Sequence, residues 1–278
     1  MLSLISIELK KVFGRKRTYI GFLAILVIVS ILQVAIYTEG QTLIDLIINN
    51  LKDTFVFEGN LLNGYFVSFL LMNNLWILMP FLVTFIAGDI VAGEAHAGTL
   101  RMLLTRPVSR IRVLTAKYIA ALTYTLLLVL FLMMVTLGLS TFIFGTGDLI
   151  VLRSTLNVFN ESEVLVRFLG AFGFAFLGMA VVASLAFLLS AINDNSIGPI
   201  AGTMAIVIGF TIITNLNFEV FHYIRQCLFT TYISSWILFF DNNPDLHKIY
   251  FSIVLCLIHI LVFFSLALFI FNRKDILT

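Results

Sequence analysis

The sequence predicts an all-α membrane protein with six transmembrane helices, and three observations lead to this prediction. The 278 residues are 60% hydrophobic and only 12% charged. Their mean hydropathy of +1.07 is far above that of a water-soluble domain. Six apolar stretches are long enough to cross a bilayer as helices. We therefore expect a lipid bilayer around the chain, and no nucleic-acid partner.

The first 17 residues predict an amphipathic helix that lies at the membrane interface. Leu2, Ile5, Leu9 and Val12 recur at helical intervals, and serine, glutamate and lysine side chains fill the other side. A basic run at residues 15–17 then precedes the first apolar stretch. We expect two parts, namely an interfacial helix over residues 1–17 and a six-span transmembrane domain over residues 18–278.

The spans differ in their polar content. The second is interrupted by Asn73, Asn74 and Pro80, and polar groups at membrane depth must face protein or water rather than lipid. Ordinary helix packing and a place beside a polar path both explain these residues. The fourth span is rich in glycine and alanine, which let helix backbones approach closely. The predicted spans are residues 19–37, 65–91, 113–144, 166–192, 198–215 and 249–271.

A thirteen-residue apolar stretch at 228–240 is too short to cross the bilayer. Its length predicts a short re-entrant or interfacial segment before the last span. Tyr232 and Trp236 lie within it, and we expect them to act as aromatic anchors at the level of the lipid headgroups.

The distribution of basic residues predicts the orientation. Twelve of the 17 lysines and arginines lie at the N-terminus, between the second and third spans, or at the C-terminus. Because cytoplasmic segments carry the excess of basic residues, these three segments are predicted to be cytoplasmic. We expect a multi-pass protein of the cell inner or plasma membrane with both termini in the cytoplasm.

Residues 88–117 form the most basic interval of the chain, with five basic residues against two acidic ones. Within this basic interval, leucines recur at helical spacing and arginines fill the positions between them. Pro107 is suited to the first turn of a new helix. The pattern predicts a short surface helix, a kink, and a helix that enters the membrane. A topological anchor attracted to anionic lipid is the alternative interpretation.

No catalytic motif is evident. The four histidines are scattered, and neither a zinc-protease pair nor a glycine-rich phosphate loop is present. We therefore expect no catalytic residue, no metal site and no cofactor in this chain. His259, well inside the last span, is interpreted as hydrogen-bonded to a neighbouring helix rather than as a proton relay. The spans have essentially no charge at mid-membrane depth, which argues against an ion-coupled carrier.

The basic interval also carries a specific pattern over about thirty residues. It resembles the signature of the ABC type-2 transporter permease family, and the six spans are similar to the layout of that family. The matching positions are Glu94, then Gly98, Thr99 and Leu100, then Leu103 and Leu104, then Pro107, Val108, Ser109 and Arg110, and finally Lys117.

The resemblance implies the membrane subunit of an ATP-binding cassette transporter, in a family whose members mostly export. It implies a cytoplasmic coupling helix at about residues 95–105, with Glu94 at its start, that contacts a separate ATPase subunit carrying ATP and Mg. The N-terminal helix would be a second contact, and a second permease copy or a sister permease would complete a dimer. The residues implied in coupling are Glu94, Gly98, Thr99, Leu100, Arg101, Leu103, Leu104, Arg106, Pro107 and Arg110.

Two other functions stay open. A membrane scaffold or immunity protein would bind a peptide or lipid without transporting it, and an intramembrane enzyme is disfavoured by the missing nucleophile and metal motifs. For a transporter, polar residues within the spans would border the path, although the sequence does not say which of them face inward. The candidates are Asn73, Asn74, Thr84, Thr123, Thr125, Thr211 and Ser265.

Overall fold

The chain is mostly helical in a computed structural model that describes residues 1–48, 62–100, 108–152, 156–216 and 218–274. Twelve α-helices in these ranges are numbered in chain order, with a π-helical turn between α6 and α7. The helices are α1 (Leu2–Phe13), α2 (Thr18–Ile48), α3 (Gly64–Leu75), α4 (Met79–Ala87), α5 (Ala92–His96), α6 (Arg110–Met133), α7 (Leu139–Phe144), α8 (Glu161–Ile192), α9 (Ile197–Asn215), α10 (His222–Cys227), α11 (Phe229–Ile233) and α12 (Leu246–Arg273).

Five helical segments are long and apolar enough to cross a membrane, and α3 and α4 together pass the same test as a bent pair. The coarse prediction of a helical protein with several membrane-spanning segments is therefore confirmed. The first of them, α2, continues to Ile48, beyond the predicted end at residue 37. Because no proline interrupts residues 38–48, the helix outlasts the apolar run.

The second apolar stretch is broken rather than continuous. The axes of α3 and α4 differ by 54°. Pro80 lies in the first turn of α4, where its missing N–H costs no helical hydrogen bond. The same proline would remove a bond from a continuous helix. The predicted single span over residues 65–91 is thus two helices with a bend at residues 76–78.

The helix α8 is the centre of the bundle. In its most apolar window 78% of the residues are buried, against 17% for α9 and 11% for α12. Two glycines allow this packing. A Cβ at Gly170 would lie 2.6 Å from the Phe239 ring, and a Cβ at Gly178 would lie 3.2 Å from Ile233. The small residues of the fourth span thus admit a neighbouring segment at close range.

That neighbour is the short apolar stretch, which forms α11 and a 3₁₀ helix at Ser234–Phe240. The prediction of anchors at the headgroup level is wrong for Trp236, which is only 2% exposed. Its ring lies 5.6 Å from that of Trp76, at the bend between α3 and α4. Tyr232 is also buried, and its hydroxyl donates to the carbonyl of Gln226 at 2.6 Å. The glycines of α8 make room for other side chains of the same stretch, Phe239 and Ile233.

A β-hairpin was not predicted, so the all-α prediction is wrong at this one place. The strands β1 (Leu149–Leu152) and β2 (Leu156–Phe159) pair antiparallel, with Leu149 opposite Phe159. Their inward side chains are buried. The Asn157 amide donates to the Phe240 carbonyl at 3.1 Å, which ties the hairpin to the 3₁₀ helix.

The π-helical turn at Met134–Gly138 separates α6 from α7. Around it, polar contacts join three helices. Ser68 of α3 lies with its Oγ 3.1 Å from the Thr136 carbonyl, and Gln33 of α2 donates to Ser140 Oγ of α7 at 2.9 Å. Such turns add one residue to a helical turn and occur often at functional sites.

The two ends of the bundle carry different elements. The α1 end carries α1, α5, the start of α6 and the final residues of α12. The hairpin end carries β1, β2 and the start of α8. Three hydrogen bonds agree with this division, because they bring the residues near 110, 190 and 272 together.

Candidate functional site

The helix α1 lies against the first turns of α6 through one buried face. Glu8 is 4% exposed and Val12 is 5% exposed on this face, whereas Leu2 is 84% exposed and Ile7 is 50% exposed on the other side. A glutamate four residues from Val12 shares its face of the helix. The buried face of α1 is therefore not wholly apolar, and its carboxylate needs partners inside the protein.

Four charges form a closed cluster of Glu8, Lys11, Glu94 and Lys117, called the buried quartet because all but the half-buried Lys11 are buried. Lys11 Nζ lies 2.9 Å from Glu8 Oε1 and 3.0 Å from Glu94 Oε1. Lys117 Nζ lies 2.8 Å from Glu8 Oε2 and 2.7 Å from Glu94 Oε2. The quartet thus joins α1, α5 and α6, and its formal charges cancel.

Lys117 is the most deeply buried member, with a side chain that is 0% exposed. It donates a hydrogen bond to Glu8, and its contact with Glu94 Oε2 is an ion pair without hydrogen-bond geometry. Burial favours the neutral form of Glu94, but Lys117 and then Lys11 outweigh it and hold the pKa of the Glu94 carboxyl below its usual value. The carboxylate therefore stays ionised at neutral pH.

A second ion cluster lies beside the quartet. Asp89, at the end of the second span, is 3% exposed and pairs with both Arg15 and Arg17. The Arg15 contact measures 3.1 Å. Gly93 lies directly over this carboxylate, since a Cβ there would be 2.5 Å from Asp89 Oδ1. These ion pairs tie the segment after α1 to the residues that follow α4.

The helix α5 is held by α8. Ser190 Oγ accepts hydrogen bonds from the backbone N–H groups of Val91 and Ala92 at 3.2 and 2.9 Å. These N–H groups belong to the first turn of α5 and have no partner within the helix. The serine of the central helix thus satisfies them and fixes the position of Glu94.

The predicted coupling helix at residues 95–105, with Glu94 at its start, does not begin where predicted, and its predicted end lies outside the described residues. Glu94 lies inside α5, which ends at His96. Gly98 follows with a φ of +69°, a conformation that favours glycine, and it breaks the helix. Thr99 then begins a new helical turn, and its Oγ donates to the Glu94 carbonyl at 3.3 Å. Leu100 is buried against the core.

The middle of the predicted coupling segment is not described by the structure. Arg101, Leu103, Leu104, Arg106 and Pro107 lie outside the described residues. Arg110, the last of the predicted coupling residues, is the first residue of α6. Its guanidinium Nη1 donates to the carbonyl of Lys274, just beyond α12, at 2.9 Å.

The sequence was compared with known proteins. A family model described as "Protein of unknown function (DUF2705)" matches residues 26–277. The chain belongs to this family. A protein from Bacillus subtilis (strain 168), described as "Uncharacterized protein YhcI", is 30% identical over 211 residues. The match covers 73% of this chain and 66% of that relative, just under two thirds of its length. Neither description states an activity.

The candidate path residues of this DUF2705 chain do not all face the same way. Asn73 and Asn74 are exposed next to the bend between α3 and α4. Asn74 donates to the Leu70 carbonyl of its own helix at 2.8 Å, and Asn73 makes no side-chain hydrogen bond with the described residues. Thr211 and Ser265 are exposed as well, Thr123 is half-buried, and Thr84 and Thr125 are buried.

His259 contacts two carbonyl oxygens. Its Nδ1 lies 2.8 Å from the Leu255 carbonyl in α12, and its Nε2 lies 3.3 Å from the Cys227 carbonyl at the end of α10. The interpretation of this histidine as hydrogen-bonded to a neighbouring segment agrees with these contacts.

Sequence reasoning missed Glu8 and Asp89 as site residues, and it treated Lys117 only as part of a pattern. Glu8 was assigned to the polar side of α1, although Leu4 and Val12 lie four residues away on either side. That spacing could have placed it in the buried stripe. Lys117 is the eighth residue of α6, and no other charged residue follows it in that helix, so a lysine there requires an acidic partner.

Proposed function

We propose that this chain is the membrane permease subunit of an ABC type-2 exporter, which works with a separate ATPase subunit that binds ATP and Mg²⁺. The buried quartet carries the proposal. It connects α1, α5 and α6 at the end of the bundle from which the basic interval emerges. A push on α1 or on the basic interval would therefore move the second and third spans together.

The arrangement supports six spans with both termini on one side. The spans would be α2, the bent pair α3 and α4, α6 with α7, α8, α9 and α12. The contact between Arg110 and the end of α12 places the C-terminal residues at the α1 end. Lys10, Lys16 and Arg112 are exposed at this same end. By the positive-inside rule the α1 end would face the cytoplasm of a cell whose plasma membrane holds the protein.

The α1 end also offers a surface for the ATPase. A cleft of about 590 Å³ lies between α1, α5 and the start of α6. Its lining includes Ile7, Thr99 and Val108, which are next to or part of the proposed contact elements. ATP binding would shift the permease between inward-facing and outward-facing states, provided that the ATP-bound ATPase fits one state better.

The bend in the second span supports a polar path. Asn73 and Asn74 lie near the middle of the bent pair, and lipid cannot satisfy exposed amides at that depth. A water-filled path or a second permease copy would satisfy them. We therefore expect Asn73 to line the space between two permease copies, with Thr211 and Ser265 as further exposed polar positions.

Site-specific cross-linking tests the proposal. A photo-reactive amino acid at Arg101 or Thr99, in the full chain expressed in its native membrane, should cross-link to a protein with ABC-type ATPase sequence. The same probe at Tyr37, which is 69% exposed and lies beside Phe144 at the end of α7, away from the α1 end, is the matched control and should not cross-link to it. ATP hydrolysis by the purified complex should accompany the cross-link.

The absence of an associated ATPase would contradict the proposal. A wild-type chain that purifies without any ATPase, and that gives no ATPase cross-link from either position, would sink the transporter proposal. The membrane scaffold that binds a peptide or lipid would then be the better explanation.

A further inference from the structure

The last described residue of the chain closes a clasp between three helices. Lys274 Nζ donates to the carbonyls of Ala191 and Ile192 at 3.3 and 2.9 Å, and it pairs with Asp194 Oδ1 at 2.7 Å. An ammonium group has three N–H donors, and each has an acceptor here. Two of these acceptors are the final carbonyls of α8, which have no partner within that helix.

The other half of the clasp is Arg110, the first residue of α6. Its Nη1 lies 2.9 Å from the Lys274 carbonyl and 3.3 Å from the Asn272 carbonyl. These oxygens stand at the C-terminus of α12, where a cation is favoured by the helix dipole. The two caps connect three helices one after another. Arg110 of α6 caps α12, and Lys274 at the end of α12 caps α8.

The α12 end of the clasp is anchored in the core, whereas the Asp194 side chain that it reaches is 73% exposed. Phe271, three residues before Lys274, is 1% exposed within the core, and the Lys274 side chain is 20% exposed. Asp194 lies in the turn between α8 and α9. Displacement of the α6 start would therefore pull on α12 and on the α8 to α9 turn at once.

We infer that this clasp is a positioning device that carries movement of the basic interval to the fifth and sixth spans. Arg110 lies within the basic interval, at the residue where α6 begins, so movement of the interval reaches the clasp through Arg110 itself. The inference rests on the proposed function, because the movement is the one that an ATPase would drive. The quartet would carry the movement to the second and third spans, and the clasp would carry it to the rest of the bundle.

A native thiol reports the movement without any need for the cargo. Cys227 is exposed, whereas Cys256 is buried. The Cys227 carbonyl contacts His259 of α12, so a shift of α12 alters the surroundings of Cys227. The rate of Cys227 labelling by a fluorescent maleimide, with and without ATP and vanadate, measures coupling from the ATPase across the bundle.

The decisive variant is Lys274→Gln, tested as a complex with the co-purified ATPase. We expect Lys274→Gln to retain the ATPase but to lose the ATP-dependent change in labelling, and Lys274→Arg to restore most of it. The matched control is Arg273→Gln, since Arg273 lies over the Phe269 ring, 4.3 Å from its centroid, rather than in the clasp. This control should behave like the wild type. Thermal unfolding of each complex would separate lost coupling from lost folding.

The outcomes are distinguishable. A wild-type chain without an ATPase would overturn the proposed function and the clasp with it. A wild-type complex whose Cys227 labelling ignores ATP, or a Lys274→Gln complex that responds like the wild type, would overturn the clasp alone. The Lys274→Gln complex could also lose its ATP-dependent labelling change because it unfolds, with the Lys274→Arg complex equally unstable. That result would assign Lys274 a structural role and would also overturn the inference.

Discussion

Replacing Lys117 with methionine should release α1 from the bundle. Lys117 Nζ makes two ion contacts of 2.7 and 2.8 Å, and its side chain is fully buried. At an effective dielectric constant of about 20, each contact is worth about 6 kcal/mol before desolvation. Desolvation offsets most of that gain, but removing one partner leaves buried carboxylates and costs about 3–5 kcal/mol. Glu8 and Glu94 would retain only Lys11, whose side chain is 35% exposed.

The loss can be measured with a cysteine probe beneath α1. Val12 is 5% exposed, so a Val12→Cys variant lacking Cys227 and Cys256 should react slowly with maleimide. Adding Lys117→Met should raise the rate by about a hundredfold or more, because about 1.4 kcal/mol corresponds to a factor of ten. The control is Ile7→Cys, which is 50% exposed and should react quickly in both backgrounds.

Two results would refute this reasoning. The first is an unchanged labelling rate at Val12→Cys when Lys117→Met is added. The second comes from a double-mutant cycle with Glu8→Gln, in which strict additivity would show that Lys117 and Glu8 are not coupled. We expect the double variant to lose less than the sum of the single losses, since it leaves fewer unpaired charges buried.

Three further predictions concern packing, capping and pH. Leucine at Gly170 should destabilise the protein by about 1–3 kcal/mol through overpacking against the short apolar segment, while leucine at Gly173 should be tolerated because nothing lies within 4 Å of its Cβ. Thermal unfolding in detergent, followed by tryptophan fluorescence, compares the two. Ser190→Ala should leave two buried N–H groups unpaired and lower the free energy of unfolding by about 1–3 kcal/mol for each. Hydrogen exchange at the Ala92 amide should become faster, and unchanged exchange would contradict this capping role. The lowered pKa of Glu94 means that its ion pairs stabilise the docked α1 above the usual carboxyl pKa of 4.5 and stop doing so as the pH falls through the lowered value. Hydrogen exchange of α1 amides, corrected for intrinsic rates, should therefore accelerate at acid pH, and equal protection at pH values of about 6 and 3 would contradict the assignment.

The long helices could be predicted because hydropathy integrates over about twenty residues and tolerates local irregularity. The break between α3 and α4 was harder to place. Pro80 was noted in the sequence, but whether a proline kinks a span or starts a new helix depends on what packs beside it. Here Trp236 packs against Trp76 at the bend. That partner lies 160 residues further along the chain and leaves no trace in the local pattern.

The site was predicted only in part for a similar reason. Glu94 was identified through the family resemblance, whereas Glu8 was assigned to the solvent side of an interfacial helix. Amphipathic periodicity ranks residues by polarity, so it assigns a glutamate to the solvent-facing side of the helix even when a buried lysine in another helix is available to pair with it. The partner Lys117 is 109 positions away, and its pairing is a property of the folded bundle. The hairpin was missed because its two strands have only four residues each.

The π-helical turn has a consequence for how this bundle tolerates insertions and deletions. Each residue of an α-helix rotates the chain by about 100°, so the additional residue at Met134–Gly138 sets the azimuth of every side chain that follows. Ser140 meets Gln33 only at that azimuth. Deleting a single residue from the turn would make the helix a regular α-helix but point Ser140 elsewhere, while the hydropathy of the segment would hardly change. In a DUF2705 chain with one residue fewer at this turn, the helix contacts would therefore differ although the hydropathy profile would be the same.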